Sequence, residues 1–80
     1  MKHRHSIHTV NVRGTDEFSV HVVRDGKPSI DAVFCTADKA TNRQNALEHA
    51  RDLARNLGCK VGMHHGVVRE RLAEFLTKER

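Results

Sequence analysis

The chain opens with two stretches in which apolar and polar residues alternate, the pattern of β-strands. Residues 7–13 (IHTVNVR) alternate and stop at Gly14, which predicts a first strand with Val10 and Val12 pointing inward. In the next stretch, Phe18, Val20 and Val22 fall on one face of a second strand, because side chains alternate between the two faces. The start of the chain therefore predicts two half-buried strands.

The dipeptide Asp25–Gly26 predicts a tight hairpin turn, since both central residues of that turn need a positive φ. Pro28 cannot donate to a strand ladder and fits the entry to a third strand over residues 29–35. That strand would direct three side chains to the core: Ile30, Ala32 and Phe34.

The clearest periodic pattern predicts a main helix over residues 41–57. Its apolar residues recur at steps of three and four: Leu47, Ala50, Leu53, Ala54 and Leu57. Thr41 with Gln44 matches a capping box, and Asn42 is a competing cap. Gly58 would end the helix, because glycine readily adopts the left-handed conformation.

The end of the chain predicts one more strand and a terminal helix. Residues 59–65 (CKVGMHH) read as a returning strand, and residues 68–79 as a helix, with a strand over 67–71 as the alternative. The helical spacing there comes from Val68, Leu72, Phe75 and Leu76. We therefore expect one domain over residues 1–80, with a flexible segment over 1–6. Its fold class is α+β: a small antiparallel or mixed sheet, ββ(β)αβ, with one face covered by the main helix, and a C-terminal helix.

Composition limits the class of protein. The 80 residues are 38% hydrophobic and 30% charged, as in an ordinary folded domain. With a mean hydropathy of −0.61 and no secretory signal at the N terminus, we expect a cytoplasmic protein with no membrane span. Cys35 and Cys59 are then expected to be reduced. The net charge of +4 favours acidic partners, including nucleic acid.

The segment Cys59–Lys60–Val61–Gly62–Met63–His64–His65 holds the candidate chemistry of the chain. In a strand, Cys59, Val61 and Met63 share the apolar face, and the two histidines point in opposite directions. They cannot then share one zinc ion, which needs about four ligands. The histidines His3, His5 and His8 could bind copper or nickel, but a solvated chain end is the simpler interpretation. We therefore predict no metal or other cofactor.

Catalysis is not predicted either. A nucleophilic cysteine needs a neighbouring base and a third group to orient it, whereas Cys59 lies in an apolar strand pattern. The five glycines are scattered and form no phosphate-binding loop. The sequence therefore predicts a protein that is not an enzyme.

The order of these elements resembles a small bacterial domain family of unknown function. The resemblance covers about residues 20–70 and rests on the hairpin Asp25–Gly26, the helix end Ala50, Arg51, Ala54 and Gly58, and the segment His64–His65–Gly66. The chain lacks the family's aromatic residue after the hairpin, and its entry to the helix is longer. The resemblance implies a fold and no activity.

In size and architecture the chain is also similar to phage accessory proteins, including some anti-CRISPR proteins. That similarity implies inhibition by covering a surface of a partner.

Two binding functions remain. In the first, the protein binds a larger protein or nucleoprotein partner, or a second copy of itself, through the sheet face that the helix leaves uncovered and through nearby charges. That face would carry Thr9, Asn11, Ser19, His21, Val23, Val33, Lys60 and His64. The residues we assign to partner binding are His21, Val23, Arg51, Arg55, Lys60 and His64.

The alternative is a nucleic-acid-binding accessory protein. It would use phosphate contacts from Arg43, Arg51, Arg55, Arg69, Arg71, Lys78 and Arg80. Against it, the chain has no Trp or Tyr, and its three Phe occupy core positions, whereas single-strand binding usually needs exposed aromatic rings.

Overall fold

The computed structural model describes residues 4–65, and for residues 63–65 it describes the backbone alone. In chain order the elements are β1 (His5–Asn11), β2 (Phe18–Arg24), β3 (Lys27–Phe34), α1 (Lys39–Leu57) and β4 (Val61–His65). The strands form one sheet in the order β3-β2-β1-β4, in which β4 runs parallel to β1 and the other neighbours are antiparallel. A mixed sheet with a helix on one face confirms the α+β class. The terminal helix predicted over 68–79, and the alternative strand over 67–71, lie outside the described residues.

The hairpin between β2 and β3 forms at the predicted dipeptide. Asp25 has φ 52° and Gly26 has φ 81°, the two positive values that a tight two-residue turn requires. The start of β1 is attached to this turn, because the Arg4 N–H donates to Asp25 Oδ1 (2.9 Å) and the Asp25 N–H donates to the Arg4 carbonyl (2.8 Å). His5 and Ser6, expected in a flexible segment, are therefore part of β1.

A β-bulge in β3 changes which of its side chains face the helix. Val20 pairs with Ala32 and His21 pairs with Ile30, so Asp31 is an extra residue with no partner on β2. Ala32 and Phe34 pack against the core as predicted. Ile30, predicted to point inward, lies beyond the bulge on the opposite face and is 52% exposed. The prediction for Ile30 was wrong because a bulge breaks the two-residue alternation.

The inward face of β1 also differs from the prediction. Ile7 pairs with Val22 and Thr9 pairs with Val20, so the odd-numbered residues of β1 face α1. Val10, predicted to face the helix, lies on the other face, although it is fully buried there. Val12, also predicted to point inward, comes after the end of β1 and is half-buried. Register with β2 fixes this choice, since both strands must present their apolar residues to one helix.

Helix α1 begins earlier than predicted, with a different cap. The cap is Asp38, whose extended backbone (φ −108°, ψ 113°) precedes the helix and whose Oδ1 accepts from the Ala40 N–H at 3.1 Å. Thr41 donates its hydroxyl to Asp38 Oδ2 (2.5 Å) instead of capping the helix itself. The capping role predicted for Thr41 with Gln44, or for Asn42, was wrong. Gly58 ends the helix with φ 69°, as predicted.

The helix packs on the sheet through small side chains. The buried residues of α1 are Asn42, Ala46, Ala50 and Ala54. They lie on Ile7, Phe18 and Val20, which form the centre of the core. Leu53 packs at the border of this contact, whereas Leu57 is 40% exposed. The predicted stripe was therefore rotated: the alanines face the sheet, and the leucines lie at the sides.

Two buried asparagines attach the loop between β1 and β2 to the core. Asn11 donates through Nδ2 to the carbonyls of Glu17 (3.0 Å) and Thr15 (3.3 Å). Asn42, in α1, donates to the Asp16 carbonyl at 2.7 Å and the Thr36 carbonyl at 2.9 Å. Its Oδ1 accepts from the Thr36 N–H (2.8 Å) and hydroxyl (2.7 Å). The residues of this loop are largely exposed, but hydrogen bonds from β1 and from α1 hold its backbone in place.

Candidate partner-binding surface

The face of the sheet that points away from α1, here called the second face, is largely buried. Val10 and Ser19 are 0% exposed, His21 is 2% and Val23 is 7%. The expectation that this face lies open to solvent was therefore wrong for Ser19, His21 and Val23. Thr9 and Asn11, expected on this face, lie on the helix side of the sheet.

The second face carries two serine–histidine pairs on neighbouring strands. Ser19 Oγ and His21 Nε2 share a hydrogen bond of 2.9 Å within β2, and Ser6 Oγ and His8 Nε2 share one of 3.0 Å within β1. His8 is the cross-strand partner of His21. Because these imidazoles and hydroxyls bond to each other, they can be buried without the cost of an unsatisfied polar group.

Gly62 in β4 makes room for the His8 ring. Gly62 is the parallel partner of His8, and a Cβ at this glycine would lie 3.1 Å from His8 Nδ1. That distance is shorter than an ordinary van der Waals contact, so a side chain here would require the His8 ring to shift by a few tenths of an ångström. Gly62 thus helps to position the histidine pair, a role that the glycine pattern in the sequence does not reveal.

The six residues assigned to partner binding do not form one surface. Arg51 and Arg55 are exposed on α1, whereas His21 and Val23 are buried on the second face, across the sheet. Lys60 is exposed immediately before β4. His64 is the backbone partner of Val10 in β4, and its side chain lies outside the described residues.

The exposed part of the second face lies on β3, at the edge of the described sheet. Ile30 is 52% exposed and Val33 is 43% exposed, and their partners on β2 are His21 and Ser19. The bulge places Ile30 on the same face as Val33, so two large apolar side chains lie together at this edge. We call Ile30 and Val33 the β3 rim. The alternating pattern of β3 predicted Val33 on this face but Ile30 on the other, because nothing in the residue pattern marks the bulge.

Further side chains that could take part in catalysis or metal binding include His49, Asp31 and the two cysteines. His49 Nε2 lies 2.5 Å from Asp31 Oδ2, and the His49 ring packs edge-on against Phe34 with centroids 5.9 Å apart. This contact fastens α1 to the bulge. Both cysteines are free thiols: Cys35 is exposed and Cys59 packs against the core. Within residues 4–65, no group of three or more His, Cys, Asp or Glu is arranged to hold a metal ion.

Comparison with known proteins adds no relative. No protein-family model, no curated protein and no solved structure matches this chain. In the described part of the chain, no helix combines the length and apolar character needed to cross a bilayer.

Proposed function

We propose that this protein is a small binding protein without catalytic activity that covers a surface of a larger protein through the β3 rim. The observation that carries the proposal is the exposure of Ile30 and Val33 side by side on one face of β3, the strand at the edge of the described sheet. Burying such a side chain fully contributes about 1.5–3 kcal/mol, so two adjacent ones can anchor a contact.

The form of β3 favours contact through side chains over the addition of a partner strand. Pro28 has no N–H to donate, Lys27 is exposed at the start of the strand, and the bulge at Asp31 interrupts the ladder. All three features reduce pairing at a sheet edge. A partner would therefore meet the apolar side chains of the β3 rim and not the strand backbone.

The proposed binding is stoichiometric, with one copy or one dimer for each partner, and takes place in the cytoplasm. A larger protein or nucleoprotein complex is the proposed partner, with inhibition of the anti-CRISPR type as one form of this activity. The exposed charges of Arg51, Arg55 and Lys60 would speed the encounter with an acidic partner. The proposed whole fold also includes the terminal helix over 68–79 that the sequence predicts.

A capture experiment with matched variants tests this function. The tagged chain is incubated with a lysate of its native host, with and without nuclease, beside the double variant Ile30→Thr/Val33→Thr. Threonine keeps the β-branched shape while adding polar groups. Leu57→Gln serves as the control, because it removes an exposed apolar side chain from α1 instead of from the β3 rim.

We expect to capture a partner protein at about one copy per chain, with or without nuclease. The double variant should lose this partner, and Leu57→Gln should keep it. Circular dichroism and the thermal midpoint establish that the variants are folded. Equal capture by all three chains would refute the role of the β3 rim. Loss of capture after nuclease treatment would instead support the nucleic-acid alternative.

A further inference from the structure

The bulge in β3 opposes the apolar pattern of the strand. With strict alternation from Ala32, Ile30 would lie on the helix side of the sheet and Asp31 on the second face. In the bulged strand Ile30 is instead 52% exposed, and Asp31 lies on the helix side, within reach of α1. Since the burial of an isoleucine stabilises a fold, an arrangement that exposes it requires a compensating interaction.

The same residues of β3 can pair with β2 in a second arrangement, with the bulge nearer the turn. If Pro28 were the extra residue, the two-residue turn and the far end of the pairing would be unchanged, and only residues 29–31 would change faces. Ile30 would then lie opposite Val22, which packs against the core. A proline suits this place, because it has no N–H to donate and is accepted at bulges.

The contact between Asp31 and His49 is what the second arrangement would lose. His49 Nε2 lies 2.5 Å from Asp31 Oδ2, and the His49 ring packs edge-on against Phe34. An exposed hydrogen bond from Ser29 Oγ to the Val22 carbonyl (3.2 Å) also belongs to the observed arrangement. A hydrogen bond to an ionised group and the burial of one isoleucine are effects of similar size. The balance between the two arrangements therefore depends chiefly on the contact with His49.

We propose that the contact between Asp31 and His49 holds the bulge at Asp31, and that β3 takes the second arrangement when this contact is lost. His49 is then a positioning residue for the β3 rim, although it lies on α1, on the other side of the sheet. In the second arrangement Asp31 would replace Ile30 beside Val33, so a carboxylate would take the place of an apolar anchor. This inference concerns the form of the β3 rim and stands whether or not the rim binds a partner.

Nuclear Overhauser contacts between backbone protons identify the cross-strand partner of Ile30. In the unsubstituted chain this partner should be His21. The variant His49→Phe keeps an aromatic ring but cannot bond to Asp31, and Asp31→Ser removes the carboxylate from the other side of the contact. In both variants the population with Ile30 opposite Val22, relative to that with Ile30 opposite His21, should rise about 10-fold or more. That is the order expected for the loss of one hydrogen bond to an ionised group.

Two controls separate the loss of this contact from other effects. Glu48→Ala changes an exposed neighbour of His49 and should leave Ile30 opposite His21. Deletion of Asp31 removes the contact together with the extra residue, so the same pairing should persist without a bulge. The proposal is overturned if either His49→Phe or Asp31→Ser keeps Ile30 opposite His21. It is equally overturned if these variants unfold, because the second arrangement must be a stable folded state.

Discussion

Asn42 uses every hydrogen-bonding group of its side chain inside the fold. Its two donors serve the carbonyls of Asp16 and Thr36, and its oxygen accepts twice from Thr36. An amide side chain is the one neutral group that supplies two donors and an acceptor oxygen at this position. Asn42 therefore joins three parts of the chain: α1, the loop after β1 and the loop after β3.

Asn42→Ala should destabilise the protein by about 3 kcal/mol. It leaves the partly buried backbone groups of Asp16 and Thr36 that Asn42 now serves without these partners, and each unsatisfied buried group costs about 1–3 kcal/mol. Chemical denaturation monitored by circular dichroism measures the change. Asn45→Ala, at a half-buried position of the same helix, is the control and should cost far less. Similar losses for both variants would show that the network contributes little.

Thr9 is the opposite case, because its buried hydroxyl forms no hydrogen bond within the described residues. Its side chain is fully buried, and in the described part of the chain Thr9 Oγ1 has no hydrogen-bond partner. Thr9→Val should therefore raise the free energy of unfolding by about 1 kcal/mol, because it replaces an unsatisfied polar atom by a methyl group of similar size. A denaturation curve shifted to lower denaturant would contradict this.

Thr15→Val is the matched control for Thr9→Val. The Thr15 hydroxyl donates to the Val12 carbonyl (2.8 Å) and accepts from the Glu17 N–H (3.2 Å). The same chemical change should therefore lower the stability here. Residue type alone does not distinguish the two threonines. Their surroundings in the fold predict that substitution by valine raises the stability at Thr9 and lowers it at Thr15.

At the scale of elements, the sequence predicted which elements form within residues 4–65 but not how they face one another. The turn at Asp25–Gly26 and the helix end at Gly58 were predictable because only a few residue types accept a positive φ. The rotation of α1 was not, since Ala46 and Ala50 bury almost nothing by themselves and weigh little in a hydrophobic pattern. The bulge in β3 was equally hidden, because it depends on register with β2.

The candidate surface was less predictable than the fold. The sequence placed His21 and Val23 together on the face away from the main helix, and the structure keeps them there but buried. Exposure depends on which other parts of the chain lie over a face, and an alternating pattern carries no such information. Of the β3 rim, Val33 was assigned to the correct face because it lies on the same side of the bulge as Ala32 and Phe34, with which it alternates.

The cap of α1 gives the element a defined pH response. The Thr41 hydroxyl, with a smaller contribution from the Ala40 N–H, holds the pKa of Asp38 below its ordinary value of 3.8. Because the pKa is lower in the folded state than in the unfolded state, the capping contribution is fully present above about pH 4. It is lost as the pH falls through the lowered pKa.

Thr41→Val should raise the pKa of Asp38, because it removes the largest cause of the lowering. The titration of the Asp38 carboxyl carbon, followed by NMR in both chains, measures this pKa. We also expect Asp38→Asn to keep the helix capped and to flatten the dependence of stability on pH below about pH 4. An unchanged Asp38 titration in Thr41→Val would exclude the hydroxyl as the cause.

At the scale of the whole molecule, the surface charges that the described part of the chain shows on α1 are mixed in sign. On α1 the exposed arginines alternate with acids, and Arg55 Nη1 lies 3.7 Å from Asp52 Oδ1. Glu48 and Asp52 therefore share the exposed side of the helix with Arg51 and Arg55. Such a mixed surface supports few simultaneous phosphate contacts.

Binding to random duplex or single-stranded DNA should be weak, with a Kd above about 10 µM at roughly 150 mM salt. Fluorescence anisotropy with a labelled oligonucleotide measures it. Replacing Asp52 by Asn should tighten this residual binding slightly, because it removes an acid beside the arginines. A submicromolar Kd that is lost in Arg51→Glu/Arg55→Glu would make nucleic acid the first candidate partner.

The alanine contact between α1 and the sheet also limits how this sequence can evolve. At Ala46, Ala50 and Ala54 a larger residue would push the helix away from Ile7, Phe18 and Val20, while glycine would weaken the helix itself. The half-exposed Leu57 can drift among many residue types without either cost. Natural variants of this chain should therefore keep alanine, or at most serine, at these three positions long after the leucines and the surface charges have diverged.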